Sequence, residues 1–93
     1  MPQTKEQSIA KAKSDLAQRL KISENAVKEK CVTDEEFSDM SLGAPADDEM
    51  AAQMISYGWR IALEAEGKTY EYRADKYQLR LADFNGVNYL LKV

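Results

Sequence analysis

Sixteen carboxylates and no histidine bound the chemistry open to this 93-residue chain. Seven of the acids, Asp34, Glu35, Glu36, Asp39, Asp47, Asp48 and Glu49, fall within residues 31–50, which hold no lysine or arginine. Carboxylates gathered in this way could hold an oxygen-preferring cation or supply a general acid–base pair. The spacing supports neither strongly. Acids do not alternate around a central glycine with a closing glutamate, as a calcium loop requires. Acid–base work needs two carboxyls at a defined separation, one of them in an apolar pocket. The plainer reading is a solvated acidic loop, with weak cation binding as the alternative, and no metal ligands are assigned.

Absence of histidine also removes the commonest base near neutral pH and the usual nucleophile–base arrangements. Cys31 would need a depressed pKa, and strand alternation would turn its neighbour Lys30 to the opposite face, so it reads as a packed small residue. The glycines at 43, 58, 67 and 86 stand singly and read as turn residues, so there is no phosphate-cradling loop. Trp59, Tyr70, Tyr72, Tyr77 and Tyr57 could stack bases or sugars. The first three share a face that a helix must cover, which favours core packing. No catalytic residue and no cofactor is assigned, and the domain is expected not to be an enzyme.

The elements that would position these residues show in the hydropathy pattern. Over residues 59–74 the period is two: Trp59, Ile61 and Leu63 share a face, and after Glu66-Gly67 so do Tyr70, Tyr72 and Ala74. A two-residue loop there sets Leu63 opposite Tyr70 and Ile61 opposite Tyr72, all on one side of a hairpin. Arg60, Glu64, Glu71, Arg73 and Arg80 then form a charged outer face. Upstream, Thr4 and Gln7 form a capping box, and Ile9, Ala12, Leu16 and Leu20 recur at helical spacing, predicting a helix over 5–20. Lys11, Asp15 and Arg19 fill its wet side, with Asp15 and Arg19 as an i,i+4 pair. Residues 26–32 read equally as an edge strand or a short helix. Residues 33–48 read as loop, and a short helix follows through Met50 and Met54. A third strand is expected over 77–82 after an Asp75-Lys76 turn. Asn85-Gly86 signals a last hairpin, in a register that pairs Leu81 with Leu90 and Leu79 with Lys92. The fold class is α+β: an N-terminal helix packed on an antiparallel sheet of three to five strands, with a short helix after an acidic loop.

Composition, 44% hydrophobic and 31% charged, suits one small soluble domain over 1–93, with residues 1–4 disordered. One cysteine excludes an internal disulfide, and no apolar run approaches the roughly 18 residues of a membrane span. A cytoplasmic protein is expected, with the mature fragment of an exported protein as the alternative. The net charge of -3 and the acidic middle favour a protein partner over nucleic acid or membrane, and a monomer.

Two resemblances add to this. Residues 15–30 resemble a helix-turn-helix, with Leu16-Ala17-Gln18-Arg19-Leu20, a short turn, Ile22-Ser23 at the cap of a second helix, then Ala26-Val27, which implies a DNA-reading second helix exposing Glu24, Asn25, Lys28, Glu29 and Lys30. From Asp15 to about Leu81 the chain resembles a small bacterial and archaeal module often attached to secreted or envelope proteins. Its marks are a Trp-Pro-Asp-x-x-Leu-Gly-Cys-Pro loop, a Gly-Tyr-x-Ile strand and a Tyr-x-Tyr hairpin. Here Phe37-Ser38-Asp39, Ser41-Leu42-Gly43-Ala44-Pro45, Gly58-Trp59-Arg60-Ile61 and Tyr70-Glu71-Tyr72 stand in that order. The resemblance implies the fold and a loop of interest, without a catalytic residue. Ala44 in place of the loop cysteine implies that no thiol chemistry occurs there.

The functional expectation is a non-catalytic accessory or protein-interaction domain that binds through Phe37, Asp39, Met40, Leu42, Met50 and Met54. These are apolar residues set among acids, and methionine adapts to irregular contacts.

Overall fold

The computed structural model describes residues 3–45 and 53–91. Helix α1 (Lys5–Leu20) leads through a 3-10 turn (Glu24–Ala26) into five strands: β1 (Lys28–Phe37), β2 (Ser56–Ala65), β3 (Lys68–Ala74), β4 (Leu79–Phe84) and β5 (Val87–Leu91). All neighbours are antiparallel and lie in chain order, so the sheet is a meander with β1 and β5 at its edges.

Thr4 Oγ1 accepts from the Gln7 amide at 3.1 Å while Gln7 Oε1 accepts from the Thr4 amide at 2.8 Å, which completes the capping box. The helix ends where Lys21 turns left-handed and donates back to the last carbonyls. Ser8, Ala12, Leu16 and Ala17 form its buried stripe, and the small residues let it sit close on the sheet. Against them lie Ile61, Leu63, Tyr72, Leu79 and Leu81, all buried, with Ile9, Leu20, Trp59 and Tyr70 at the margin. Asp15 and Arg19, read as the wet side, are half-buried instead. Tyr72 Oη donates to Asp15 Oδ2 at 2.7 Å, Arg19 Nε donates to the same oxygen at 2.7 Å, and the Arg19 guanidinium lies 4.5 Å from the Tyr89 ring centroid. Burial and then the Asp15 bond push the Tyr72 hydroxyl pKa far up.

The β2–β3 hairpin has the expected register, Leu63 to Tyr70, Ile61 to Tyr72 and Trp59 to Ala74. Glu66 and Gly67 both take positive φ, 53° and 77°, as a type I′ turn requires. Elsewhere the structure corrects the reading. Residues 33–37 are not loop, because β1 continues along the full length of β2, and its exposed edge lets Asp34, Glu35 and Glu36 stay hydrated. A bulge between Glu29 and Cys31 interrupts the alternation that made residues 26–32 ambiguous. Gly58 is no turn glycine: it lies inside β2, where a Cβ would come within 2.0 Å of the Ala74 carbonyl oxygen. The strand expected over 77–82 is β4 and starts only at Leu79, because residues 75–78 form the turn, with Asp75 Oδ1 accepting from the amides of Tyr77 and Gln78. At the last hairpin Ala82 and Asp83 together oppose Asn88, and Asp83 takes φ 52°. That bulge sets Leu81 against Tyr89 and Leu79 against Leu91, so apolar residues face the helix on both strands.

Gln3, expected to be loose, is buried: its side chain donates to the carbonyls of Asp75 and Gln78 at 2.7 and 2.8 Å, and its amide donates to that of Lys76. The expected short helix falls largely on residues outside the described ones, and Gln53 and Met54 themselves are not helical.

Candidate functional site

Behind the sheet, the loop after β1 folds back over the face opposite the helix. Asp39 organises it: Oδ1 accepts from the Ser41 hydroxyl at 2.6 Å, the Ser41 amide at 2.9 Å and the Gly43 amide at 3.2 Å. Those bonds, the Ser41 hydroxyl first, hold the Asp39 carboxyl below the ordinary carboxylate pKa. Leu42 and Gly43 follow with φ of 56° and 70°, so the chain reverses sharply. The turn presses Phe37, Ser41, Leu42 and Ala44 inward, and all four are buried.

The sheet's charged outer face meets this loop with donors. Arg73 Nη1 reaches the Leu42 carbonyl at 3.1 Å, Arg80 Nη1 the Ala44 carbonyl at 3.2 Å, Gln78 Nε2 the Met40 carbonyl at 2.7 Å and Asn88 Nδ2 the Pro45 carbonyl at 3.0 Å. Arg80 is buried by this cover, so the expected solvent-facing set Arg60, Glu64, Glu71, Arg73 and Arg80 is only partly that. The rest of the face carries an ion ladder: Glu71 accepts from Arg73 at 2.7 Å, and Arg60 Nε stands 3.8 Å from Glu71 and 3.9 Å from Glu35. The Arg60 Nε is buried and paired by charge without a hydrogen bond.

The expected binding residues therefore separate. Phe37 and Leu42 are anchors under the loop, so they present no contact surface. Asp39 is committed to the turn. Met50 lies outside the described residues. Met40 and Met54 do come together at the surface, 39% and 61% exposed, and three residues not expected beside them join them: Ile55 at 57%, and Tyr57 at 72% and Tyr77 at 74%, which the sequence offered only as stacking candidates. With Lys76 they line a groove of about 300 Å³. Tyr57 is in the strand pattern, on the Trp59 face, but it lies where β2 passes beyond the start of the helix. Tyr77, expected in a strand, lies instead in the 75–78 turn, where its side chain is exposed.

Support beneath this groove is dense. The 75–78 turn is bonded to Gln3 on one side and, through Gln78, to Met40 on the other. Ser56 Oγ donates to Met40 Sδ at 3.2 Å. A second depression of about 510 Å³ adjoins it, lined by Asp34, Glu35, Glu36, Tyr57, Trp59 and Lys76.

For the other readings the geometry is less favourable. Residues 24–26 make only a 3-10 turn and the chain enters β1 at Lys28, so the second helix of a helix-turn-helix does not form. Among the described residues no group of three His, Cys, Asp or Glu side chains is placed to hold a metal ion, and Cys31 is exposed on the edge strand. Among the described residues no helix is long and apolar enough to cross a membrane.

A protein-family model described as a domain of unknown function, DUF8738, matches residues 9–82. That span takes in most of α1, strands β1 to β3, much of β4 and the folded-back loop. No curated protein and no solved structure matches the chain.

Proposed function

We propose that this chain, which belongs to the DUF8738 family, is a non-catalytic protein-interaction module whose contact surface is the apolar groove of Met40, Met54, Ile55, Tyr57 and Tyr77. One observation carries the reading: five large apolar side chains, each at least 39% exposed, stand around one groove. Single exposed apolar residues are ordinary, but a contiguous set of this kind marks a contact site. Tyrosine and methionine are side chains that protein interfaces favour, and Met40, Tyr57 and Tyr77 sit on backbone that is already held by hydrogen bonds. The loop resembling the Trp-Pro-Asp-x-x-Leu-Gly-Cys-Pro module serves in this reading as the support that holds Met40 in place.

The non-catalytic part rests on the chemistry of the side chains. The chain has no histidine, Asp39 spends its carboxylate on its own turn, and the Tyr72 hydroxyl is buried against Asp15. A cytoplasmic setting fits the exposed thiol of Cys31.

The test compares partners retained by the wild-type chain with those retained by a Met54→Ser, Tyr77→Ser double variant. Both substitutions are on exposed side chains, so the fold should survive, as a thermal melt will show. Loss of specific partners from the folded variant supports the reading. Identical partner profiles overturn it.

A further inference from the structure

We propose that residues 32–37 of β1 accept an added strand from the partner, and that this partner segment carries a run of consecutive Lys or Arg residues. The inference rests on reading the domain as a protein-interaction module, and it names the chemistry of the partner.

β1 is an outer strand of the sheet, ten residues long and mostly exposed, with β2 on one side and no strand on the other among the described residues. A free strand edge offers unpaired amides and carbonyls, which proteins commonly protect with lysines, bulges or short length. Lysines and the bulge are confined to one half, and the other half is guarded only by the negative charge of Asp34, Glu35 and Glu36, which a basic strand would neutralise. Lys28, Lys30 and the bulge between Glu29 and Cys31 blunt the first half. From Cys31 opposite Ala62 to Phe37 opposite Ser56 the register is unbroken, and residues 31–37 contain no lysine, proline or glycine. The opposite edge, β5, has five residues, and its Asn88 side chain is bonded to the Asp83 amide and the Pro45 carbonyl.

Charge identifies the occupant. Asp34 and Glu36 stand opposite Trp59 and Tyr57 and so share the helix side of the sheet, whereas Glu35 stands opposite Gly58 and reaches Arg60 on the other side. Side chains of an added strand alternate between the two faces, so neighbouring residues of the partner would meet carboxylates on both. A strand with alternating basic and apolar residues would satisfy one face only, while consecutive basic residues satisfy both. Existing cations compete weakly: Lys5 meets Asp34 at 3.1 Å in a well-exposed pair, and Arg60 lies 3.9 Å from Glu35. The depression beside Asp34 and Glu36 also exposes Tyr57, whose ring face can take the stem and charge of a long basic side chain.

A second copy of the chain fits less well. Antiparallel self-pairing centred on Asp34 sets acid against acid, and a register that brings Lys28 and Lys30 to the acids must run through the bulge.

The test titrates the full chain with a capped Thr-Val-Lys-Arg-Lys-Val-Thr peptide while backbone amide shifts are recorded. Two control peptides accompany it, one with serines for the basic run and one with alternate backbone nitrogens methylated, which keeps the charge and removes the edge hydrogen bonds. Saturable shifts centred on residues 31–37 are expected, with affinity at least about tenfold weaker for each control peptide and for an Asp34→Ser, Glu35→Ser, Glu36→Ser variant. A Glu36→Ser single variant serves if the triple variant melts early. Equal binding of the methylated peptide would reduce the effect to charge attraction and overturn strand addition. Concentration-dependent shifts at 31–37 without peptide would assign the edge to a second copy instead. Absence of shifts at 31–37 would overturn this inference alone, since the apolar groove is judged by the Met54 and Tyr77 comparison.

Discussion

Arg73 Nη1 donates to the main-chain carbonyl of Leu42 at 3.1 Å, across 31 residues of sequence, and so pins the folded-back loop to the outer face of β3. The same guanidinium is oriented by Glu71 at 2.7 Å. Replacing Arg73 with Met should cost about 1–3 kcal/mol, because a carbonyl and a carboxylate both lose a charged donor. Urea denaturation measures the total. Amide exchange should rise more in residues 39–44 than at Ile61, which would place the loss in the loop. Gly43→Ala should act in the same direction, since Gly43 has φ +70° and a Cβ there would stand 2.8 Å from Arg73 Nη1.

Asp39 gives the loop a pH dependence of known sign. Its pKa is lowered in the folded chain, chiefly by the Ser41 hydroxyl and the Gly43 amide. The stabilisation is therefore complete above the ordinary carboxylate value and is lost as pH falls through the lowered one. An Asp39→Asn variant should be less stable than wild type at neutral pH, and the gap should close below the ordinary carboxylate range. Paired melts across that range check it, and a gap independent of pH would deny the ionised carboxylate its role.

Within the core, Leu63→Ala should cost about 2–5 kcal/mol, since Leu63 is fully buried under the helix. A Gly58→Ala change should be at least as damaging for a different reason, because the new Cβ would meet the Ala74 main chain at 2.0 Å. Gly67→Ala is the comparison, with open space around it and only its positive φ to oppose a side chain. Chemical denaturation of the three variants should rank Gly67→Ala as the mildest.

Duplex DNA should give no saturable amide shifts in residues 15–30 at low salt. Lys28 and Lys30 lie on an edge strand without the groove-filling helix that DNA recognition would need. Saturable, salt-sensitive shifts weakened by Lys28→Glu and Lys30→Glu would reverse this.

What the sequence alone determined is local and periodic. The Thr4–Gln7 capping box, the helix over 5–20 and the β2–β3 register depend on residues close in sequence, where side-chain period and turn chemistry agree. The membership of the helix-side core followed, because one hairpin and one amphipathic helix leave each other a single apolar face to cover. Tertiary structure decided the rest. Both bulges change the register by one residue, and neither announces itself in an alternation that they break. Strand β1 reaches Phe37 because β2 offers ten residues of partner, a fact that lies some twenty residues away. Phe37 and Leu42 looked like binding residues among acids, and were turned inward by an Asp39 turn that Arg73 and Arg80 hold from behind. Tyr57, Ile55 and Tyr77 formed no sequence pattern with Met40 and Met54. Their meeting is made by a sheet that outruns its helix and by a turn at residues 75–78 tied to both Gln3 and Met40, long-range bonds between segments that local preference cannot bring together.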